Sequence, residues 1–375
     1  MDDRIKTIIA EEIMFAKEAA TFLGISVQRL NKLVHKGDLV PVKMNPSGTL
    51  FLKRDLEERK YSASNIGKEI PAPRNVEMLK NNKDSVQEAV NYYTIQSFYD
   101  YAYRKTEAHF QRLLELHDFK KPLFYKIDLF AGYLGVSNDV LLNRYEQVLR
   151  GFEKLLFTDE VVALGDEHYP FELKRIGFPP PFLFLRGKTE VLERPIVSIT
   201  GCKDPDFDEK DMAYKITRFL TEKGFVIGSG LAKGIDTVVL TTAVNNRFPS
   251  VAVLGTPLNR AYPKDNESLQ RDIARDGVLL SQYCPSSPGK RWQFPIRGIT
   301  LSGISRFTVI VDRNYAEGNY KQIEYSLKQG RMVFMPYPKV IASENRWLER
   351  YINRKGVVLY RDFDDFLRQI KIVLG

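Results

Sequence analysis

From about residue 160 onward, short apolar runs alternate with amphipathic stretches. The runs are Val161–Leu164, Phe182–Leu185, Ile196–Thr200, Phe225–Ile227, Val251–Leu254, Val278–Ser281, Phe307–Val311 and Met332–Met335. Each has strand length. Helical periodicity fills about 208–223, 232–246, 265–276 and 319–329 between them. Such repetition predicts a parallel sheet with right-handed crossovers. The central runs are continuously apolar, as strands covered on both faces require.

Two further zones precede this α/β region, giving expected boundaries of 1–65, 75–160 and 161–375. In the first, Phe15, Ala19, Ala20 and Leu23 mark one helix, and Gly24-Ile25-Ser26 a turn. Ser26 is placed to cap a second helix, with Val27, Leu30, Leu33 and Val34 on its buried face. Leu39–Lys43 and Thr49–Leu52 read as strands around the turn at 45–48. Tyr61–Arg74 carries Gly67, Pro71 and Pro73 and reads as a linker. The second zone is helical. Val86 to Leu116 interleaves Tyr92, Tyr93, Phe98, Tyr99, Tyr101, Tyr103 and Phe110 with Arg104, Lys105 and Arg112. That pattern suits either an aromatic core or a base-stacking surface.

Composition narrows the chemistry. The 375 residues include 56 Lys+Arg against 47 Asp+Glu, a net charge of +9. That excess hints at a polyanionic partner. With only Cys202 and Cys284, a disulfide framework and a cysteine-based zinc site are excluded. His35, His109, His117 and His168 lack metal-ligand spacing. No apolar run approaches ~18 residues, so no membrane span is expected. Met1-Asp2-Asp3-Arg4 does not resemble a signal peptide. A cytoplasmic location follows as the expectation.

Ligands of parallel sheets sit beyond the carboxyl ends of the strands. Val226 to Asp236 has the grammar of a strand-to-helix turn, with Gly228, Gly230 and Gly234 letting main-chain N–H groups approach an anion. It lacks the Gly-Lys-Ser/Thr ending of a P-loop. The predicted phosphate-binding rim comprises Gly201, Lys203, Ser229, Gly230, Lys233, Gly234, Lys264, Asn266, Arg297 and Arg306, with Arg260 and Arg313 nearby. No histidine stands beside a nucleophile there, so no catalytic residue, cofactor or metal is assigned. Cys202, near a helix start, is a candidate for a lowered pKa. Trp292 and Phe294, beside Lys290 and Arg291, suit either base stacking or packing.

Taken in order, these residues resemble the DNA-processing protein A (DprA/Smf) family. The resemblance rests on Pro179 to Gly187, Ile196 to Gly201, Ser229 to Asp236, Ala252 to Thr256, Tyr262 to Asn266, Phe294 to Arg297, Ser302 to Arg306 and the closing Asp364 to Leu367. It implies an extended Rossmann-like domain that binds single-stranded DNA in a basic pocket. It also implies a homodimer, a RecA-type recombinase as partner, and roles in recombination or natural transformation. Lys203 and Lys233 fall where the family carries basic residues. The first 60 residues are similar to MerR or excisionase-type winged helix-turn-helix domains. In that reading Gln28, Arg29, Asn31 and Lys32 face duplex DNA and Lys43 lies near the wing. The alternative is a nucleotide-handling enzyme or nucleotide-sensing regulator, since Glu317 to Glu324 keeps carboxylates, although without the glycine run of such enzymes.

Overall fold

A computed structural model describes residues 13–59 with short breaks at 38, 46–47, 54 and 57–58, and residues 83–115, 118–312, 317–337 and 349–374. The expected linker, His117 and Arg313 lie outside the described residues. The chain divides into two compact units, Met1–Ala72 with Thr94–Glu146, and Pro73–Tyr93 with Gln147–Gly375.

The first unit opens with β1 (Ile13–Phe15), α1 (Ala16–Leu23) and α2 (Val27–His35), followed by β2 (Lys43–Asn45) and β3 (Gly48–Leu52). The strands form an antiparallel sheet in the order β1-β3-β2. Gly24 ends α1 in the left-handed conformation at φ +67°, as a helix C-terminus favours. Ser26 caps α2 as predicted, its hydroxyl accepting from the Arg29 N–H at 3.2 Å. Ala19, Ala20, Leu30, Leu39, Phe51 and Leu56 form the core. Three details differ from the pattern reading. Phe15 belongs to β1, not to the helix. Val27, in the first turn of α2, is 41% exposed. Leu39 is a core plug outside the hairpin, whose first strand starts only at Lys43.

The aromatic zone forms helices α3 (Lys83–Ser97) and α4 (Tyr103–Leu114), then α5 (Ile127–Leu134) and α6 (Asn138–Phe152). Within the first unit its rings pack on one another: Phe110 against Phe119 at 4.7 Å, Phe119 against Phe130 at 5.8 Å, and Tyr99 stacked on His109 at 4.5 Å between centroids. Within the second unit, Tyr92 and Tyr93 of α3 are buried against Phe182. Of the two readings of this zone, the aromatic core is the one these contacts fit.

The second unit is built on nine strands: β4 (Glu160–Ala163), β5 (Phe182–Gly187), β6 (Ile196–Gly201), β7 (Val226–Ser229), β8 (Ser250–Leu254), β9 (Val278–Ser281), β10 (Ser305–Val311), β11 (Met332–Pro336) and β12 (Val357–Tyr360). Their order is β12-β11-β10-β6-β7-β8-β9-β5-β4. β12 through β9 run parallel, and β5 and β4 complete the sheet antiparallel. Connecting helices are α7 (Phe171–Lys174), α8 (Phe207–Glu222), α9 (Ile235–Asn245), α10 (Glu267–Asp276), α11 (Gln293–Ile304), α12 (Glu317–Lys328), α13 (Glu349–Ile352) and α14 (Phe363–Leu374).

Strand periodicity sorts the core into two layers. Val197, Ile199, Ile227, Phe307, Val309 and Val311 face α8, α9 and α14. Ile196, Val226, Val251, Val253, Leu183 and Leu185 face α7 and α11 through Leu173, Leu301 and Ile304. A polar thread crosses the second layer, from Ser198 Oγ to Thr308 Oγ1 at 2.7 Å and on to Ser326 Oγ at 2.9 Å. Ser326 in turn donates to the Gln322 carbonyl at 2.8 Å, so these buried hydroxyls are satisfied. Among the described residues no helix is long and apolar enough to cross a membrane.

Candidate nucleic-acid interface

β6 is the point from which the sheet grows both ways. β7, β8 and β9 follow on one side, and β10, β11 and β12 on the other. Such a reversal opens a crevice at the carboxyl ends of the two central strands. Here Gly201, ending β6, pairs with Val311, ending β10, so the two ends are level. The loops after β6, β7, β8 and β9 all emerge on this rim.

The turn after β7 is locked from beneath. Ser229 is fully buried, its hydroxyl donating to the Ile199 carbonyl at 2.7 Å. Leu231 is held at φ +58°, a conformation that costs a non-glycine residue about 1 kcal/mol. Asn266 Nδ2 donates to the Leu231 carbonyl at 3.1 Å and to Thr237 Oγ1 at 2.8 Å, pinning that residue. Gly234 sits at φ +91°, and a Cβ there would collide with the carbonyls of Cys202 and Lys203. Only glycine fits this position.

Asp236, in the first turn of α9, is the hub of the floor. It accepts from Thr200 Oγ1 at 2.8 Å and from the Ala232 N–H at 3.2 Å. Its carboxylate lies 3.6 Å from Arg297 Nη2. Arg297 also donates to the Gly230 carbonyl. Only 13% of its side chain is exposed, and its buried Nε has no hydrogen-bond partner among the described residues. The position at the start of α9 suits a carboxylate electrostatically.

The rim therefore has two tiers. Gly230, Ser229, Asn266 and Arg297 belong to the floor, with side chains or carbonyls engaged in holding the loops together. Lys203, Lys233 and Lys264 stand above it, exposed. Lys233 is 72% exposed, and its ammonium lies 3.9 Å from the Asp204 carboxylate. The sequence grouping needs two corrections. Ser229, Asn266 and Arg297 point inward because strand and helix packing give their donors carbonyl or carboxylate partners. Arg306 lies at the opposite edge: it is the second residue of β10, whose neighbour Ser305 pairs with Ile196 at the amino end of β6.

Cys202 also departs from expectation. Burial first, then the hydrogen bond to Glu209, pushes its thiol well above the usual range. Sγ donates to Glu209 Oε2 at 3.2 Å, and the same oxygen accepts from the Asp206 N–H at 3.1 Å in a helix capping box. Glu209 and Asp312 lie close enough to the thiol for ion ligation. In the first unit, Gln28, Arg29, Asn31 and Lys32 are exposed on α2, and Lys43 on β2.

Pattern reading did not single out Thr200, whose role as donor to Asp236 depends on sheet register. Nor did it single out Tyr262, which is 59% exposed, with its ring centroid 4.9 Å from that of Phe294. Trp292 is part exposed and meets Tyr283 edge to face at 6.5 Å.

The second unit is thus an extended doubly wound α/β domain whose switch-point rim carries exposed lysines over an interlocked floor. Residues 160–371 match the sequence model of the DNA recombination-mediator protein A family, and the chain belongs to that family. It is 29% identical over 248 residues to DNA processing protein DprA of Streptococcus pneumoniae, covering 64% of this chain and 86% of the relative. Identity is 30% over 174 residues with the Bacillus subtilis DprA and 34% over 173 residues with protein Smf of Synechocystis. Those matches span 59% and 44% of the relatives' lengths. The X-ray structure of the S. pneumoniae protein superposes with a TM-score of 0.56 at 24% identity, covering 78% of this chain and 99% of that one, so the two share a fold.

Proposed function

We propose that the protein binds single-stranded DNA along the carboxyl rim of its nine-stranded sheet and acts without cutting it, as a mediator of DNA recombination. The observation that carries this reading is the placement of Lys203, Lys233 and Lys264 on three different rim loops, exposed above a floor that fixes those loops. Lysines of this kind neutralise successive phosphates, while main-chain N–H groups of the turn position them. Family membership supports the reading, since the named relatives are DNA-processing proteins. Self-association, a RecA-type recombinase partner and duplex contact through α2 belong to the same proposal and rest on the family resemblance.

The test is a titration of labelled oligonucleotide with the wild-type chain and with the Lys203→Ala/Lys233→Ala double variant across a range of salt. Removing one lysine that neutralises a phosphate should lower the slope of log affinity against log salt by about 0.7. The double variant should therefore bind every sequence more weakly, with a slope smaller by about 1.4. Wild-type affinity and slope in that variant would overturn the assignment.

A further inference from the structure

Cys202 and Asp312 are neighbours by sheet register. Gly201 pairs with Val311 where β6 and β10 end, so the residue after each strand leaves the sheet at the same level. α8 begins a few residues further on, and its first turn brings Glu209 back to that point. A thiol and two carboxylates thus converge from three separate elements, with one ligand atom of each within 4.8 Å of the other two. All three residues are buried, at 9%, 2% and 0% relative exposure for Cys202, Glu209 and Asp312. Among the described residues no other three His, Cys, Asp or Glu side chains meet in this way.

Buried charges in proteins are held by partners or by metals. Here two carboxylates share one centre, where their charges repel, and a cation between them would reverse that term. Glu209 Oε2 also accepts from the Asp206 N–H at 3.1 Å, the kind of outer hydrogen bond that orients a metal ligand. We propose that Cys202, Glu209 and Asp312 bind one divalent cation of the zinc class, which clamps the carboxyl ends of β6 and β10 to α8. A thiolate disfavours Mg2+ and Ca2+, and carboxylates disfavour Cu(I), so the mixed set suits a borderline ion such as Zn2+. Two cysteines in the whole chain cannot build a multi-cysteine zinc centre. One thiolate with two carboxylates is a different set, and it leaves a fourth position of the ion to water. On binding, the S–H bond of Cys202 breaks, the proton passes to solvent and an S–Zn bond forms, with no change of oxidation state. The site does not depend on the single-strand reading.

The experiment titrates the full chain, stripped of metal by a chelator, with Co2+ and then with Zn2+. Co2+ accepts the same donors and reports a bound thiolate by a charge-transfer band in the near ultraviolet. Wild type should take up one equivalent, show the band, and lose it as Zn2+ displaces Co2+. Zn2+ should also raise the thermal midpoint, as any ligand of the native state does. Cys202→Ser keeps a hydroxyl to donate to Glu209, so without metal it should melt near wild type. Its band should vanish and its Zn2+ affinity, read by competition with a chromophoric chelator, should fall at least about 10-fold. Asp312→Asn should keep the band and bind Zn2+ at least about 10-fold more weakly, and Cys284→Ser should keep both band and affinity. A wild-type chain without a thiolate band at saturating Co2+ overturns the site, as does a band that survives in Cys202→Ser. Unchanged Zn2+ affinity in Asp312→Asn overturns it as well. If Cys202→Ser fails to fold, the wild-type, Asp312→Asn and Cys284→Ser titrations still decide.

Discussion

Arg297, in the second turn of α11, donates to the main-chain carbonyl of Gly230 and faces the Asp236 carboxylate at 3.6 Å. One buried guanidinium thus ties a helix on one face of the sheet to the turn that starts a helix on the other. Arg297→Ala should leave Asp236 as a buried carboxylate with one fewer positive neighbour. Breaking a buried pair in this way costs about 3 kcal/mol or more. Urea denaturation should show a lower midpoint, and Arg297→Lys should not restore it because the fork is lost. A near-neutral Arg297→Ala would mean that the contact adds nothing to the floor.

Asp204 and Lys233 form an exposed pair on the rim proposed to hold phosphates. If the proposal holds, a carboxylate there competes for the lysine and repels the strand. Asp204→Asn should tighten single-strand binding about twofold to fivefold at low salt, and the gain should vanish near 1 M salt, where screening acts within about 3 Å. Anisotropy titrations at two salt concentrations read both effects.

Gly234 is the position where the loop after β6 crosses beneath the turn after β7. The Ile235 N–H donates to the Cys202 carbonyl at 3.0 Å just there. In Gly234→Ala the added methyl meets the Cys202 and Lys203 carbonyls at a positive φ, which should cost about 1–3 kcal/mol. A lower thermal midpoint should accompany weaker DNA binding, because the Lys203 loop has to move.

Arg306 tests the geometry from the other direction. It is exposed, but at the amino end of β10. Arg306→Ala should bind single-stranded DNA with wild-type affinity and an unchanged salt slope. A drop comparable to that of the lysine variants would show that the strand runs along the opposite edge.

Burial raises both thiols, Cys284 to about 12. The sign follows from proton counting. Above about pH 9 the unfolded thiol has lost its proton while the native one keeps it, so unfolding releases protons. The stabilisation is complete below the unfolded pKa and is lost as pH rises towards the folded value. Stability should fall between about pH 9 and about pH 12 by up to about 1.4 kcal/mol per pH unit for each thiol. Urea midpoints followed through this range should decline less steeply in Cys284→Ala than in wild type. Parallel declines would remove thiol burial as the cause.

Much of the second unit was legible because apolar strands advertise themselves. β9 falls on Val278–Ser281 as read from the pattern, and β5, β6, β7, β8, β10 and β11 differ from it by a few end residues. α11 was not legible. Gln293 to Ile304 contains Pro295, Gly298 and Gly303, residues that argue against a helix. Packing overrides that propensity: a Cβ at Gly298 would meet Gln322, and one at Gly303 would meet Leu173. β12, four residues long, went unread although the amphipathic helix α14 follows it directly. Within the site, residue types showed that cations and glycines gather after the strands. They did not show direction. Asn266 and Lys264 are two residues apart, yet one braces the turn and the other stands in solvent, and only sheet register and loop packing decide which.

The hydroxyl thread from Ser198 through Thr308 to Ser326 crosses the seam where strand order reverses. Apolar contacts tolerate sliding; two directional hydrogen bonds in sequence do not. The seam is therefore fastened in register, and the sheet itself sets where the loops leaving β6 and β10 begin. Under the proposed single-strand role, whatever adaptation binding requires would fall on the nucleic acid and on the long lysine side chains.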